Sequence, residues 1–387
     1  MKSSTERILT THVGSLPRPD DLFEMMLARM DGMAVDEKAY TARLDAAVKD
    51  CVRQQREAGL DIVSDGEMGK PSFITYAASR LSGLKKREGF RPSPFANTRE
   101  TRDFPEYYQS TVAEQVSARR RRALMVCAGP IKYIGNAALK ADLDRLKAAL
   151  ANVKAAEAFV PAIAPSNVES TTPNEYYPTP EAYVVAIAEA MREEYRTIVD
   201  AGFLLQIDDP FLVTYYITRP DLDIAACRKW AELRVEALNT ALAGIPADRI
   251  RFHTCYSINM GPRINDMQLK DIVDIIVKVR AGAYSFEAAN PRHEHEWVVW
   301  QTVKLPPGKV LIPGVISHAT NIVEHPELVC ERIVRLAKLV GRENIIAGTD
   351  CGFAQSPTYR RVHPSIMWAK LEALAAGAQL ASMELWG

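Results

Sequence analysis

Residues 180–210 read PEAYVVAIAEAMREEYRTIVDAGFLLQIDDP and contain one helix-period segment followed by one apolar run. Apolar residues recur every three or four positions in the first part, which predicts an amphipathic helix. The run FLLQI then predicts a buried strand, and the carboxylate of Asp208 comes at its end. This unit indicates a fold in which helices cover a sheet.

Similar units recur along almost the whole chain. Nine candidate strands lie at 8–16, 61–67, 123–131, 158–165, 203–210, 250–255, 283–289, 310–317 and 344–350. Helix-period segments separate them, for example at 41–59 and 326–341. Repeated units of this kind predict an α/β fold with a covered parallel sheet, and eight or more predict a closed (β/α)8 TIM barrel. One of the nine candidates must then lie outside the barrel, and the pattern does not identify it.

The segment 71–120 interrupts this rhythm. It is long and polar, and it includes the runs KKREGF and RPSPFANTRETRDFPEYY. An insertion of this length after an early barrel strand is typical of a cap over the active-site end. We therefore expect residues 1–387 to form a single barrel domain that carries a cap at 71–120.

The composition excludes several classes of protein. The 387 residues contain 48 basic and 48 acidic side chains, so the formal net charge is zero, which argues against an extended nucleic-acid surface. The chain has no apolar run of about 18 residues of the kind that spans a membrane. Its start, MKSSTERILTTHVGS, lacks the apolar core of a secretory signal. We expect a cytoplasmic protein, with a homo-oligomer among the open alternatives.

Polar side chains come near the carboxyl end of most of the predicted strands. They are Ser15, Glu67, Asp208, His253 with Cys255, Glu287 and Cys351. Barrel enzymes build their sites at this end of the strands. We therefore expect these side chains to meet at one rim of the barrel, although they are spread over most of the chain.

Four of these side chains suit a soft metal ion. Strand neighbours two apart face the same way, so His253 and Cys255 should project together. An imidazole, two thiolates and a carboxylate, supplied by these residues with Glu287 and Cys351, predict tetrahedral zinc. The alternatives are a small buried residue at Cys351 and an ion pair between Glu287 and an arginine such as Arg292. Zinc with two thiolates favours S-alkylation over water activation.

The remaining cysteines and histidines have simpler interpretations. Four cysteines are expected to be structural: Cys51, Cys227 and Cys330 in helices, and Cys127 on a strand. Three histidines lie in charged stretches and are expected to be exposed: His293, His295 and His325. His12 and His318 lie at strand ends and could reach the pocket.

The motifs TTHVGSLPRP, SDGE, QIDDP, HTC, FEAAN and GTDCGF follow one another in this order. In this order and spacing, the chain resembles the catalytic C-terminal barrel of cobalamin-independent methionine synthase and its single-barrel relatives, which include epoxyalkane:coenzyme M transferase. The resemblance covers nearly the whole chain. It implies a zinc-dependent enzyme that transfers an alkyl group to a thiol.

The resemblance also implies roles for individual residues. The zinc ligands would be His253, Cys255, Glu287 and Cys351. Ser15 and the backbone of Val13 and Gly14 would hold the carboxylate of an amino-acid thiol, and Glu67 and Asp208 its ammonium group. His318 would deliver a proton, although GVISHAT differs from the family pattern, with the histidine displaced by one position and Ser317 where an aspartate is expected.

The first hypothesis is methyl transfer to homocysteine from 5-methyltetrahydrofolate or another methyl donor that lies under the cap. A second is the opening of an epoxide by coenzyme M. A sulfonate thiol would need cations such as Arg18 or Lys70, whereas an amino-acid thiol would use Glu67 and Asp208. Two further alternatives are a binding module with a structural zinc and a porphyrinogen decarboxylase-like barrel, whose chemistry needs no metal.

Overall fold

The computed structural model describes residues 1–90, 97–110, 123–256, 261–354 and 361–387. Its strands are β1 (Leu9–Thr10), β2 (Ile62–Val63), β3 (Leu84–Phe90), β4 (Ala123–Cys127), β5 (Glu157–Ile163), β6 (Leu204–Asp208), β7 (Ile250–His253), β8 (Ala283–Phe286), β9 (Val310–Ile316) and β10 (Ile346–Thr349). Every predicted strand overlaps one of these, so the apolar runs located the strands correctly.

Eight of the strands form a parallel sheet in the order β1-β10-β9-β8-β7-β6-β5-β2. The first and last strands in this order are joined by the Asp61 amide, which donates to the Thr10 carbonyl at 3.0 Å. The sheet therefore curls into a (β/α)8 barrel, as expected from the repeated units.

The helices alternate with these strands. Those described are α1 (Asp20–Met30), α2 (Glu37–Glu57), α3 (Arg99–Asp103), α4 (Asn136–Leu150), α5 (Pro165–Thr171), α6 (Pro180–Asp200), α7 (Phe211–Thr218), α8 (Ile224–Ala241), α9 (Val273–Ile276), α10 (Pro326–Val340) and α11 (Pro364–Trp386). Short 3₁₀ turns lie at Thr75–Ser79, Ala247–Arg249, Leu269–Asp271, Glu294–Gln301 and Arg342–Asn344. Within the described ranges, no helix is long and apolar enough to cross a bilayer.

The candidate strand at 123–131 is the one that lies outside the barrel. It corresponds to β4, which pairs antiparallel with β3 in a separate two-stranded sheet. The pair begins inside the expected cap, which also contains α3 and the turn Thr75–Ser79. Residues 91–96 and 111–120 of that segment lie outside the described residues.

Apolar side chains fill the barrel below the strand ends. A separate apolar cluster takes residues from seven barrel strands: Leu9, Ile62, Phe159, Leu204, Ala283, Val310, Ile312 and Ile346. The buried Arg251 lies against it, with its guanidinium 4.0 Å from the Phe159 ring. Its nitrogens donate to Thr11 Oγ1 at 3.0 Å and to the His12 carbonyl at 2.8 Å, which ties β7 to the end of β1. This packing gives the rim above it a rigid base.

Candidate functional site

Three of the four predicted metal ligands meet at the carboxyl ends of the strands. His253 is the last residue of β7, Cys255 lies two residues later, and Cys351 lies two residues after β10. All three are buried, and their ligand atoms lie within 4.8 Å of one another. The two Sγ atoms are 3.2 Å apart, well beyond the roughly 2.05 Å of a disulfide. We call these residues the His-Cys-Cys cluster.

The state of His253 suits a metal ligand. Its Nδ1 lies 3.3 Å from Ser285 Oγ, whereas its Nε2 is buried and has no hydrogen-bond partner among the described residues. Burial and, secondarily, the charge of Arg251 lower the pKa of His253 to about 3, so the ring is neutral. A histidine that ligates a metal is usually neutral, with one ring nitrogen in a hydrogen bond and the lone pair of the other nitrogen available to the metal. Together with two thiols, this donor set fits zinc.

Glu287, the fourth predicted ligand, has protein partners in this structure and is not part of the His-Cys-Cys cluster. Its Oε1 accepts from the Tyr256 amide at 2.8 Å. Its Oε2 accepts from Arg263 Nη2 at 2.9 Å and from Asn290 Nδ2 at 2.5 Å. The arginine that pairs with Glu287 is therefore Arg263. Arg292, the expected candidate, donates to a backbone carbonyl instead.

Asp350 joins the two loops that carry Glu287 and Cys351, a role that the sequence analysis missed. Its Oδ1 accepts from the amides of Ala288 and Ala289, both at 2.8 Å. Burial, reinforced by the charge of Glu287, raises the pKa of Asp350 to about 7. The sequence does carry a signal for this role, since Asp350 comes directly after a strand and directly before the candidate ligand Cys351.

A pocket of about 330 Å³, partly open to solvent, lies beside the His-Cys-Cys cluster. Its lining consists of Val13, Ser15, Glu67, Phe73, Asp208, Pro210, His253, Cys255, Cys351 and Gly352. Most of the predicted metal and substrate residues thus share one cavity. Gly14, Glu287 and His318 are not in this lining, and Phe73 and Pro210 were not anticipated.

Two carboxylates line the pocket. Glu67 Oε1 lies 3.1 Å from Lys70 Nζ, which also donates to the Pro161 carbonyl at 2.6 Å. Asp208 Oδ1 accepts from Gln206 Nε2 at 2.8 Å, and burial and then the charge of Glu67 raise the pKa of Asp208 well above its usual range. Among the described residues, neither arginine nor lysine belongs to the lining. The pocket is therefore suited to a cationic group.

The loop after β1 is held by several hydrogen bonds. The Gly14 amide donates to His12 Nδ1 at 3.2 Å, and His12 Nε2 lies 2.8 Å from Gln55 Oε1. The Val13 carbonyl accepts from Gln206 Nε2. His12 is thus engaged in fixing this loop and does not line the pocket.

Gly352 packs directly against Ser15, and a Cβ at position 352 would overlap Ser15 Oγ. We expect Gly352→Ala to lower the free energy of unfolding by about 1–3 kcal/mol, as overpacking usually does. Urea denaturation measures this loss. Adding Ser15→Ala removes the overlapping atom and should restore part of the stability; no recovery would contradict the packing explanation.

His318 follows β9 and is buried. Its Nε2 lies 3.4 Å from Arg361 Nη1, and its Nδ1 has no hydrogen-bond partner within the described ranges. Burial, followed by the charge of Arg361, lowers the pKa of His318 well below its usual value. The ring is therefore neutral.

The expectation that His293 is exposed is wrong. The residue is only 2% exposed, with Nδ1 at 2.7 Å from Glu296 Oε2 and Nε2 at 3.1 Å from Asp266 Oδ2. Its ring stacks on Tyr256 at a centroid distance of 3.9 Å. Two carboxylates make the burial of a charged ring favourable, and Asp266 comes from a loop that sequence proximity does not reveal.

This pairing makes stability depend on pH. Burial opposes the charge of His293, but the hydrogen bonds to Asp266 and Glu296 outweigh it and raise its pKa from 6.5 to about 9. Because the folded pKa is the higher one, the stabilisation is complete below the unfolded value and disappears as pH rises through 9. It amounts to at most about 3 kcal/mol.

We therefore expect the stability difference between the wild type and His293→Gln to shrink between about pH 6 and about pH 10. Urea midpoints at both pH values test this expectation. A difference that stays constant would show that His293 is not charged in the folded protein.

Comparisons with known proteins show what this chain is similar to. Residues 8–158 and 162–369 match the family model described as cobalamin-independent synthase, catalytic domain. Methionine synthase from Thermococcus kodakarensis is 25% identical over 377 residues, which cover 97% of this chain and 94% of the relative. The protein of the same name from Pyrococcus abyssi is 26% identical over 346 residues, which cover 89% and 85% of the two chains.

Solved structures confirm the fold. A B12-independent methionine synthase from Shewanella sp. W3-18-1, in complex with selenomethionine, superposes with a TM-score of 0.73 at 19% identity, covering 98% of this chain and 99% of that one. A putative vitamin-B12-independent methionine synthase from Listeria monocytogenes superposes with a TM-score of 0.66, also at 19% identity and with the same coverage. The chain belongs to the family of cobalamin-independent synthase catalytic domains and is an enzyme of that family.

Proposed function

We propose that this enzyme transfers a methyl group to the sulfur of homocysteine and that it depends on zinc. The observation that carries the proposal is the shared pocket, in which Glu67 and Asp208 face the same space as the His-Cys-Cys cluster. The cluster suits a thiol, and the two carboxylates suit an ammonium group. The curated relatives named methionine synthase support the same reaction.

His253, Cys255 and Cys351 would hold the zinc, with Glu287 as the fourth and most easily exchanged ligand. The unpartnered Nε2 of His253 and the pair of sulfur atoms support this assignment. When bound, Zn²⁺ deprotonates a thiol that ligates it, which makes the sulfur nucleophilic near neutral pH.

The pocket residues would orient homocysteine. Its ammonium group would lie between Glu67 and Asp208, where a positive charge offsets the cost of ionising the buried Asp208. Ser15 and the backbone of Val13, which line the pocket, would receive its carboxylate, whereas the Gly14 amide donates to His12 Nδ1 instead. These contacts would direct the thiol toward the His-Cys-Cys cluster and hold it in line with the donor.

The methyl donor would bind under the 71–120 segment, which we propose as a cap on the barrel. Transfer breaks the bond between the methyl group and its carrier, 5-methyltetrahydrofolate or another donor, and the carrier then takes a proton. His318 is our candidate for delivering that proton. Because the ring is neutral, it would relay the proton, taking one up at one nitrogen while the other nitrogen releases its own.

The second hypothesis, an epoxide-opening reaction of coenzyme M, has weaker support. A sulfonate needs cations in the pocket, but Arg18 donates to the carbonyls of Glu67 and Lys70, and Lys70 pairs with Glu67. Both cations therefore have roles within the protein. An amino-acid thiol matches the two carboxylates better.

A direct assay separates the two reactions. Zinc-loaded protein is incubated with homocysteine and methyl-labelled 5-methyltetrahydrofolate, in its monoglutamate and polyglutamate forms. A parallel reaction contains coenzyme M and a short epoxide, and mass spectrometry identifies the products. We expect labelled methionine; an alkylated coenzyme M without methionine would refute the proposal.

A further inference from the structure

Arg263 has a strained backbone at the edge of this site. Among the described residues, Glu67 at φ 54° and Arg263 at φ 60° are the non-glycine residues with positive φ. Side chains disfavour this conformation, and it persists where surrounding contacts over-determine it, often at functional sites. Glu67 lines the pocket, whereas Arg263 is outside the lining and reaches the site through its contact with Glu287.

The contacts of Arg263 fix its guanidinium between two carboxylates. Nε donates to Asp266 Oδ2 at 2.8 Å, and Nη2 donates to Glu287 Oε2 at 2.9 Å. The residue is buried, yet these carboxylates outweigh burial and raise its pKa well above the ordinary value. His293 bonds to the same Asp266 oxygen and so helps to hold Asp266 in place beside Arg263.

The carboxylate of Glu287 is therefore held by three hydrogen-bond donors of the protein. Arg263 and Asn290 share its Oε2, and the Tyr256 amide binds its Oε1. Tyr256 directly follows the cluster residue Cys255. These donors offset the cost of burying the negative charge of Glu287 even when no metal is bound.

We propose that Arg263 is a positioning residue that stabilises the carboxylate of Glu287 when it leaves the metal, so that the acceptor thiol can take its position. The inference rests on the proposed zinc-dependent transfer to a thiol. A carboxylate displaced into a buried site without a cation would be strongly unfavourable. The ion pair with Arg263 removes that cost and lets the thiol compete for the position.

The test uses Arg263→Met, Glu287→Gln and the double variant, all with the full chain. Zinc affinity is measured by competition with a chromophoric chelator. Homocysteine affinity is measured from the change in the visible spectrum of the Co²⁺-substituted protein, which also reports the coordination number. Neither readout depends on turnover.

We expect Arg263→Met to bind zinc about 10-fold more tightly and homocysteine about 10-fold more weakly, since Glu287 then turns to the metal. Both effects should disappear in the Glu287→Gln background. Arg234→Met is a matched control, because Arg234 is also buried and donates to Glu169 at 3.0 Å outside this pocket. It should change neither affinity.

Arg263→Lys keeps the charge and replaces the methionine variant if that protein does not fold; its affinities should shift in the same direction by a smaller factor. Unchanged zinc and homocysteine affinities in whichever variant folds would overturn the inference alone. So would shifts that persist without Glu287. A wild-type protein that binds no zinc would overturn both the inference and the proposed function.

Discussion

Replacing Cys351 with serine should abolish both zinc binding and methyl transfer. The change removes one of two cysteine sulfurs from a cluster whose ligand atoms lie within 4.8 Å of one another, and a serine hydroxyl is a poor ligand for zinc. Loss of an outer-shell partner already costs roughly 10- to 100-fold in metal affinity, so the loss of a direct ligand should cost more. Elemental analysis of the purified protein measures the zinc content.

Cys330→Ser is the matched control for this experiment. Cys330 is half-buried on α10 and lies outside the cluster, so its replacement should leave about one zinc per chain. A Cys351→Ser protein that keeps its full zinc content would remove Cys351 from the metal site.

Replacing Asp208 with asparagine should raise the KM for homocysteine by about 30-fold or more. The variant removes a buried carboxylate opposite the expected ammonium group, and truncating such a charge pair typically costs about 2 kcal/mol or more. Glu67→Gln should act in the same direction, because it removes the second carboxylate and leaves Lys70, which pairs with Glu67 at 3.1 Å, as an uncompensated cation beside the ammonium site. Steady-state kinetics with homocysteine as the varied substrate gives both values.

Coenzyme M provides the internal control, because this thiol has no ammonium group. Its affinity should not fall in Asp208→Asn or Glu67→Gln, since the loss of a carboxylate does not disfavour a sulfonate, and the zinc content of both variants should match the wild type. An equal loss of affinity for the two thiols would contradict the assignment of these carboxylates to an amino group.

The barrel could be predicted because each strand carries its own local signal. The run FLLQID is apolar up to the aspartate at its end, and β6 follows it residue for residue from Leu204 to Asp208. The same signal could not separate β4 from the barrel strands, since the run ALMVC is equally apolar. Its antiparallel pairing with β3 depends on contacts across the insertion, which periodicity does not encode.

The site was predictable to the extent that its residues lie at strand ends. Their positions at strand ends predicted that His253, Cys255 and Cys351 would lie together, but could not predict which protein groups bind Glu287. The nearby Arg292 was the natural candidate, whereas the actual partner, Arg263, precedes Glu287 by 24 residues. The burial of His293 was hidden for the same reason, because a charged stretch looks exposed until its long-range partner is known.

The most direct test of the account is zinc K-edge X-ray absorption on the zinc-loaded protein, with and without homocysteine. The two cysteines of the cluster should give two sulfur ligands in the free enzyme. Addition of homocysteine should raise the count to three, because its own sulfur joins the metal. A count that stays at two with saturating homocysteine would contradict zinc activation of the acceptor thiol.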